Sequence, residues 1–140
     1  LPLDSLTVLN QLNKCNLPLA LVTDGPTVMQ TAKIEVLGIK RFIDHLYITD
    51  SLGSEYAKPS TLIFKRVLQD LSIEATKSVY VGDNPYKDFI GAKQVGLKTI
   101  RLIREKGLYS NVFLDPYHEA EITIQKIDAI HKYLNIRSFR

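Results

Sequence analysis

The chain has 140 residues, of which 45% are hydrophobic and 24% are charged, and its formal net charge at pH 7 is +3. This length suits one domain with a sizeable core, and the modest charge does not indicate a nucleic-acid partner. We expect no membrane association, because no apolar run approaches the roughly 20 residues of a membrane helix, and we expect no secretory signal at the start of the chain. The single cysteine, Cys15, excludes an internal disulfide and fits a reducing, cytoplasmic setting.

The first half of the chain predicts two helices, each followed by a short strand. Leucines at helical spacing indicate the first helix, which Asp4 or Ser5 can cap. The second helix takes Pro26 into its first turn and ends at Gly38. The strands are predicted at 19–23, where a short apolar run is typical of a strand buried on both faces, and at 45–50.

The second half continues the alternation. An amphipathic helix is predicted from Ser60, and a strand at 78–81 is expected to stop at Gly82. A further helix is expected from about Pro85 to Val95. The remaining predicted elements are a strand at 98–103, a loop at 107–117, a short edge strand around 122–124 and a closing helix around 127–134.

Strands that alternate with helices of this length predict an α/β fold. We expect a parallel sheet with right-handed crossovers and helices on both faces. Because the sequence shows no internal repeat, low-complexity tract or linker, residues 1–140 are predicted to form a single domain.

Two carboxylates stand at the end of the strand at 78–81. Asp83 follows Gly82 directly, and Asp88 comes five residues later within the same strand-to-helix turn. Both can face one hard cation, and Mg²⁺ takes one or two protein carboxylates and completes its shell with water and phosphate oxygens. In the alternative interpretation, Asp83 only caps the next helix and Asp88 is a solvated surface residue.

Thr23 and Lys58 are expected at the same edge of the sheet, where ligands of open α/β folds bind. Thr23 ends its strand, so its hydroxyl and the N–H groups that follow can donate to phosphoryl oxygens, or the hydroxyl can satisfy its own turn. Lys58 precedes Pro59, which places it in extended backbone, where its ammonium group can neutralise phosphate charge. In the alternative interpretation, Lys58 is an ordinary solvated lysine.

Smaller signals lie in and after the strand at 98–103. Three basic residues there either meet an anionic substrate or are simply solvated, namely Arg101, Arg104 and Lys106. Three aromatic residues of the following loop are predicted to be a packing patch, namely Tyr109, Phe113 and Tyr117. The histidines lack the spacing of metal ligands.

Three stretches in this order resemble the second, third and fourth motifs of the haloacid dehalogenase superfamily. They are Leu21-Val22-Thr23-Asp24-Gly25, then Lys58-Pro59-Ser60-Thr61-Leu62-Ile63-Phe64, then Val81-Gly82-Asp83-Asn84-Pro85-Tyr86-Lys87-Asp88-Phe89-Ile90-Gly91-Ala92-Lys93. The resemblance extends to about Arg104. It implies a Rossmann-like core and Mg²⁺-dependent phosphoryl transfer through an aspartyl-phosphate.

The resemblance also implies residue roles. Thr23, with Asp24 and Gly25, would hold the phosphoryl group, and Lys58 would stabilise nucleophile and phosphate. Asp83 would bind Mg²⁺ directly, while Asp88 would hold the water shell of the metal or Lys58. Asp24 stands where the family commonly has asparagine.

The first motif of the family is missing. Its nucleophile lies in an Asp-x-Asp-x-Thr/Val run at the end of the first strand, and this sequence has no such run. We therefore expect the C-terminal portion of a core domain, without first strand and cap, that is inactive when isolated. A missing N-terminal segment, a neighbouring domain or a second copy would cover the exposed sheet edge. The alternative is a degenerate module that binds a phosphorylated ligand or a partner chain without catalysis.

Overall fold

The structure is a computed structural model that describes residues 1–135. The helices are α1 (Leu3–Lys14), α2 (Thr27–Leu37), α3 (Thr61–Leu71) and α4 (Ile90–Val95). The strands are β1 (Ala20–Thr23), β2 (His45–Ile48), β3 (Val79–Gly82), β4 (Lys98–Leu102) and β5 (Ile122–Ile124). None of the helices within residues 1–135 has the length and apolar character needed to cross a membrane.

The chain divides into two compact units. The first consists of Leu1–Ala57 and the described residues after Ile130, and the second is Lys58–Ile130. That residues 1–140 form one domain stays a prediction. The expected α/β fold is confirmed, because every strand pairing is parallel and helices separate the paired strands up to β4.

The first unit contains a two-stranded sheet in which β1 pairs with β2 from Ala20 opposite His45 to Thr23 opposite Ile48. The helices pack against it through an apolar cluster of Ile34, Ile39 and Ile48, with Leu9, Leu21 and Leu46 at its margin. All four residues of β1 are only half-buried. The prediction of a strand buried on both faces is therefore wrong here, because β1 has a sheet neighbour on one edge only within the described chain.

The second unit contains the sheet order β3-β4-β5, with β4 in the centre and β5 at the edge as predicted. Ile63 and Phe64 of α3, Phe89 and Ile100 are almost completely buried and form its core. Gly91 of α4 lies so close to the carbonyl of Pro59 that a side chain would not fit. This close approach is the physical reason for glycine in the Gly91-Ala92 pair.

Two predicted helix starts are wrong at the residue level. Pro2 precedes α1 as its N-cap, so Asp4 lies in the first turn and does not cap. Pro26 likewise stands just before α2, whereas the predicted end at Gly38 is confirmed, with φ +62° in the left-handed region. At α3, the Ser60 side chain accepts a hydrogen bond from the N–H of Leu62, as a capping serine does.

The helix expected from about Pro85 begins only at Ile90. Residues 84–89 form a tight turn instead, and its polar side chains accept from nearby backbone N–H groups. The Asn84 side chain accepts from the N–H of Tyr86 at 3.0 Å, and Asp88 accepts from the N–H groups of Asp83 and Asn84. The closing helix is a 3₁₀ helix at Ile127–Tyr133 rather than an α-helix.

Candidate functional site

Asp88 is the centre of the site in the second unit. The residue is 3% exposed, and its Oδ2 accepts from the backbone N–H groups of Asp83 at 3.1 Å and Asn84 at 2.8 Å. Its Oδ1 accepts from the Lys58 ammonium at 2.6 Å. The alternative of a solvated Asp88 is therefore wrong, since both carboxylate oxygens are engaged inside the protein.

Gly82 makes room for this carboxylate. A Cβ atom added at Gly82 would lie 2.6 Å from Oδ2 of Asp88, well inside van der Waals contact. Glycine is needed here for close approach of a side chain to the backbone, because only a residue without Cβ leaves that space.

Lys58 is buried beside Asp88. Its side chain is 8% exposed, and its Nζ also donates to the Tyr80 hydroxyl at 3.1 Å. Burial alone would lower the pKa of Lys58, but the charges and hydrogen bonds of Tyr80 and Asp88 outweigh burial and raise the pKa above its ordinary value. Lys58 is thus a fixed cation at neutral pH, and its alternative as a solvated lysine is wrong.

Asp83 differs from Asp88 because its side chain reaches solvent. Partial desolvation and then the negative charge of Asp88 raise the pKa of the Asp83 carboxyl, while Lys58 and Arg101 oppose that shift. Two carboxylates so close together disfavour each other in the charged form, and a bound cation relieves that repulsion. Asp83 is therefore the carboxylate placed to meet a cation.

The donor set tests which metal could bind. Across residues 1–135, no group of three or more His, Cys, Asp or Glu side chains could hold a metal ion. A structural zinc site needs about four such ligands. One exposed carboxylate beside a buried one fits Mg²⁺, which keeps several waters and takes oxygen ligands from phosphate.

Thr23, Asp24 and Gly25 form a second polar cluster, in the first unit. The Thr23 hydroxyl donates to the Gln30 side-chain oxygen on α2 at 2.9 Å, and it makes a longer contact of 3.5 Å with the Asp24 carbonyl in its own turn. The Asp24 carboxylate accepts from the Thr49 hydroxyl at 2.8 Å. Gly25 has φ +109°, a region that other residues rarely adopt. The strand end is thus built around fixed polar groups.

The start of α2 has a partner within the same unit. Asp50 accepts from the N–H of Thr27 at 2.9 Å and from its hydroxyl at 2.7 Å. These hydrogen bonds lower the pKa of the Asp50 carboxyl. The first N–H group of α2 is therefore already occupied by Asp50.

Of the predicted site residues, Lys58, Asp83 and Asp88 come together in the second unit. Sequence reasoning missed Tyr80 and Thr49. Tyr80 lies in β3, two residues before Gly82. Positions two apart lie on the same face of a strand, so this spacing was the sequence signal that could have placed Tyr80 near the site. Thr49 directly follows β2 and offered only its place at a strand end.

Both expectations for Arg101 are wrong. Its side chain is 1% exposed and forms an ion pair with Glu119 at 2.9 Å, so it neither reaches solvent nor faces an anionic substrate. Two members of the predicted aromatic packing patch are largely exposed, Tyr117 at 77% and Phe113 at 70%, although the Arg101 guanidinium lies over the Phe113 ring at 5.3 Å. Tyr109 alone is half-buried and packs against Tyr86.

Comparison with known proteins identifies the family. Residues 4–102 match the family model described as haloacid dehalogenase-like hydrolase. The match covers more than half of the sequence and includes all three stretches that carry the resemblance. The chain belongs to the haloacid dehalogenase-like hydrolase family.

Two curated relatives are phosphatases. The chain is 34% identical to glyceraldehyde 3-phosphate phosphatase of Methanocaldococcus jannaschii over 131 residues, which covers 93% of this chain and 56% of that protein. It is 31% identical to ribulose-1,5-bisphosphate 5-phosphatase of Halopiger xanaduensis over 120 residues, or 86% of this chain and 44% of that protein. The chain thus spans about half the length of the curated relatives it matches.

A solved structure agrees with this assignment. A HAD phosphatase from Thermococcus onnurineus superposes with a TM-score of 0.81 at 26% identity, covering 96% of this chain and 58% of that one. The Rossmann-like fold expected from the resemblance is confirmed by this likeness.

Proposed function

We propose that this chain is the C-terminal portion of the core of a Mg²⁺-dependent phosphohydrolase that acts on a small phosphorylated sugar. The observation that carries the proposal is the buried Lys58–Asp88 pair beside the solvent-reaching carboxylate of Asp83. A fixed cation and a cation-binding carboxylate at one strand end suit a phosphoryl group, whose transfer depends on charge stabilisation.

Lys58 and Asp83 would have complementary roles. The Lys58 ammonium, held by Asp88 and Tyr80, would face negative charge on the phosphate and on an attacking carboxylate. Asp83 would bind Mg²⁺ directly, and the metal would supply a further positive charge to the phosphoryl oxygens. Asp88 would act through Lys58 and through the water shell of the metal, because both of its oxygens already accept hydrogen bonds.

Thr23, Asp24 and Gly25 would bind the phosphoryl group at the end of β1. The Thr23 hydroxyl would turn from Gln30 to a phosphoryl oxygen, and the positive φ of Gly25 would let the backbone approach the ligand closely. Support for these roles comes from the motif resemblance and from the fixed polar surroundings of the strand end.

The chemistry would proceed in two steps that share one intermediate. An aspartate outside these 140 residues would attack phosphorus, and the bond from phosphorus to the sugar oxygen would break, so that the sugar leaves as an alcohol after taking up a proton. Water would then attack phosphorus of the aspartyl-phosphate, which would release inorganic phosphate and restore the carboxylate.

The substrate class is proposed from the relatives. Their names specify glyceraldehyde 3-phosphate and ribulose 1,5-bisphosphate, which are phosphorylated sugars of three and five carbons. We propose a substrate of this size, in a cytoplasmic protein whose residues 1–140 form one domain.

The decisive experiment compares the whole protein with this chain alone. Release of phosphate from small sugar phosphates and from p-nitrophenyl phosphate is measured with Mg²⁺ and with EDTA. We expect activity in the whole protein with Mg²⁺ only, and none in the isolated chain. Full activity of Asp83→Asn in the whole protein would refute the metal assignment.

A second candidate is a module that binds a phosphorylated ligand or a partner chain without catalysis. The observation that favours it is the lack of an Asp-x-Asp-x-Thr/Val run in these residues. Among the described strands, β1 pairs only with β2 and β3 only with β4, and Val81 of β3 is 37% exposed. A missing N-terminal segment, a neighbouring domain or a second copy would cover such an edge.

The two candidates differ in measurable ways. Calorimetric binding of phosphate in the presence of Mg²⁺, without turnover by the whole protein, would favour the binding module. Sedimentation of the isolated chain as a dimer would favour a second copy as the cover of the edge, whereas a monomer would favour a segment of the same protein.

A further inference from the structure

The segment between β4 and β5, residues 103–121, is here called the β4–β5 loop. It contains no helix or strand, yet a buried cation binds its backbone. Arg101, near the end of β4, is 1% exposed. One terminal nitrogen, Nη1, donates to both carboxylate oxygens of Glu119 at 2.9 Å, and the other, Nη2, donates to the carbonyls of Tyr109 and Val112 at 2.7 Å each.

A second cation holds the far end of the same loop. Lys93 of α4 donates to the carbonyls of Pro116 at 2.8 Å and Glu119 at 3.0 Å. The Glu119 carboxylate also accepts from the N–H of Leu114 at 2.8 Å. In this loop, side chains supply the hydrogen-bond partners that a strand or helix would otherwise supply to the backbone. The loop is therefore ordered by Arg101, Glu119 and Lys93.

The loop contacts the turn that carries the acidic residues. Arg101 is the residue opposite Gly82 in the β3–β4 pairing, and so it lies beside the residue that precedes Asp83. Tyr109 of the loop meets Tyr86 of the turn edge to face, with 6.3 Å between ring centroids. Only one residue, Tyr109, thus stands between the Arg101–Glu119 ion pair and Tyr86 of the proposed metal-binding turn.

Holding a loop with a buried ion pair costs free energy. Burying a guanidinium and a carboxylate costs desolvation, and apolar side chains of similar volume often stabilise a fold better. What the guanidinium adds is geometry, because its fixed fork bonds a carboxylate and two carbonyls at once. Lysine at this position would keep the charge but lose that arrangement.

We propose that Arg101 is a positioning residue whose ion pair with Glu119 holds the β4–β5 loop so that Tyr109 supports Tyr86 and the turn carrying Asp83. The effect on catalysis rests on the proposed function. The effect on Tyr86 does not depend on it.

The test uses the whole protein with Arg101→Lys and Glu119→Gln, and with Arg66→Lys as the matched control. Arg66 forms an ion pair with Asp70 at 3.0 Å on the surface of α3, outside the loop. At saturating Mg²⁺ we expect kcat to fall roughly tenfold to a hundredfold in Arg101→Lys, since small displacements of catalytic groups have effects of that size. KM is expected to change by less than about twofold, because uniform substrate binding is not removed. The control keeps both constants.

A second readout follows Tyr86 directly. The protein is labelled with 3-fluorotyrosine, and the Tyr86 signal in the ¹⁹F spectrum is assigned by its loss in Tyr86→Phe. We expect this signal to shift in Arg101→Lys and in Glu119→Gln but not in the control. If Arg101→Lys does not fold, Glu119→Gln carries the test, because its amide oxygen still accepts a hydrogen bond.

The outcomes are distinct. A shifted Tyr86 signal together with lower kcat supports the proposal. A shifted signal in a protein that hydrolyses no phosphate ester supports the positioning role and refutes the proposed function. Lower thermal stability with unchanged kcat and an unchanged Tyr86 signal would show a purely structural role and overturn the proposal.

Discussion

Replacing Lys58 with methionine removes a cation from a buried position and leaves the Asp88 carboxylate without its charged partner. Both side chains of the pair are less than a tenth exposed, at 8% and 5%. Removing one partner of a buried pair costs about 3–5 kcal/mol of unfolding free energy, because the remaining charge stays desolvated. Two backbone N–H groups still donate to Asp88, so we expect a value near the lower end, about 3 kcal/mol.

Urea unfolding at pH 7 measures this loss as a lower midpoint with an unchanged m-value. The double variant Lys58→Met/Asp88→Asn should be more stable than Lys58→Met alone, because the amide carries no charge and the two changes are coupled. Arg66→Met, which breaks an exposed pair, is the control and should cost at most about 0.5 kcal/mol.

The pH dependence has a defined sign. Because the fold raises the pKa of Lys58 above its ordinary value of 10.5, its stabilisation is complete below that pH and is lost only as pH rises through the higher folded value. The difference between wild type and Lys58→Met should therefore stay constant between about pH 6 and pH 9. A loss below about 1 kcal/mol, or a difference that vanishes within that range, would refute the reasoning from burial and pairing.

Three further variants test the site. Asp83→Asn should abolish Mg²⁺-dependent hydrolysis by the whole protein yet raise stability at pH 7 by less than about 1 kcal/mol, because desolvation and Asp88 raise the pKa of Asp83. That gain should shrink as pH falls through the raised pKa of the native carboxyl, because the charge is then lost in the native protein as well. A lower urea midpoint at pH 7 would contradict the assigned cause, which is desolvation and the charge of Asp88. Gly82→Ala should cost about 2 kcal/mol, because its Cβ would lie 2.6 Å from Asp88. Gly25→Ala should cost about 2 kcal/mol, because φ is +109° there. The control for both is Gly38→Ala, where no atom lies within 4 Å of the added Cβ and the expected cost is about 1 kcal/mol. Thermal unfolding measures the stability of all three glycine variants. Losses in Gly82→Ala and Gly25→Ala no larger than the loss in Gly38→Ala would contradict the steric argument.

Local patterns were enough to predict most elements and their order. The helix that ends at Gly38, the amphipathic helix after Ser60 and the edge strand at Ile122–Ile124 all agree with the structure. Their signals are side-chain periodicity and capping chemistry, which act between near neighbours in sequence.

The largest error in the elements lies in the acidic turn, and it coincides with a tertiary contact. The chain from Pro85 onward has helix-compatible residues, but Asp88 binds the N–H groups of Asp83 and Asn84 while it pairs with Lys58. The carboxylate of Asp88 is thus held by a residue 30 positions away, and α4 begins only after it, at Ile90.

The site was predictable as a set of residues and not as a set of roles. The sequence by itself determined that Lys58, Asp83 and Asp88 stand at element ends with carboxylate and ammonium chemistry, because residue type and spacing are written in it. Only the tertiary structure decided that Asp88 is buried and fully hydrogen-bonded while Asp83 reaches solvent. It also decided that Arg101 lies inside the protein against Glu119, 18 residues away. Burial and long-range pairing depend on how distant segments pack, and no periodicity within one segment encodes them.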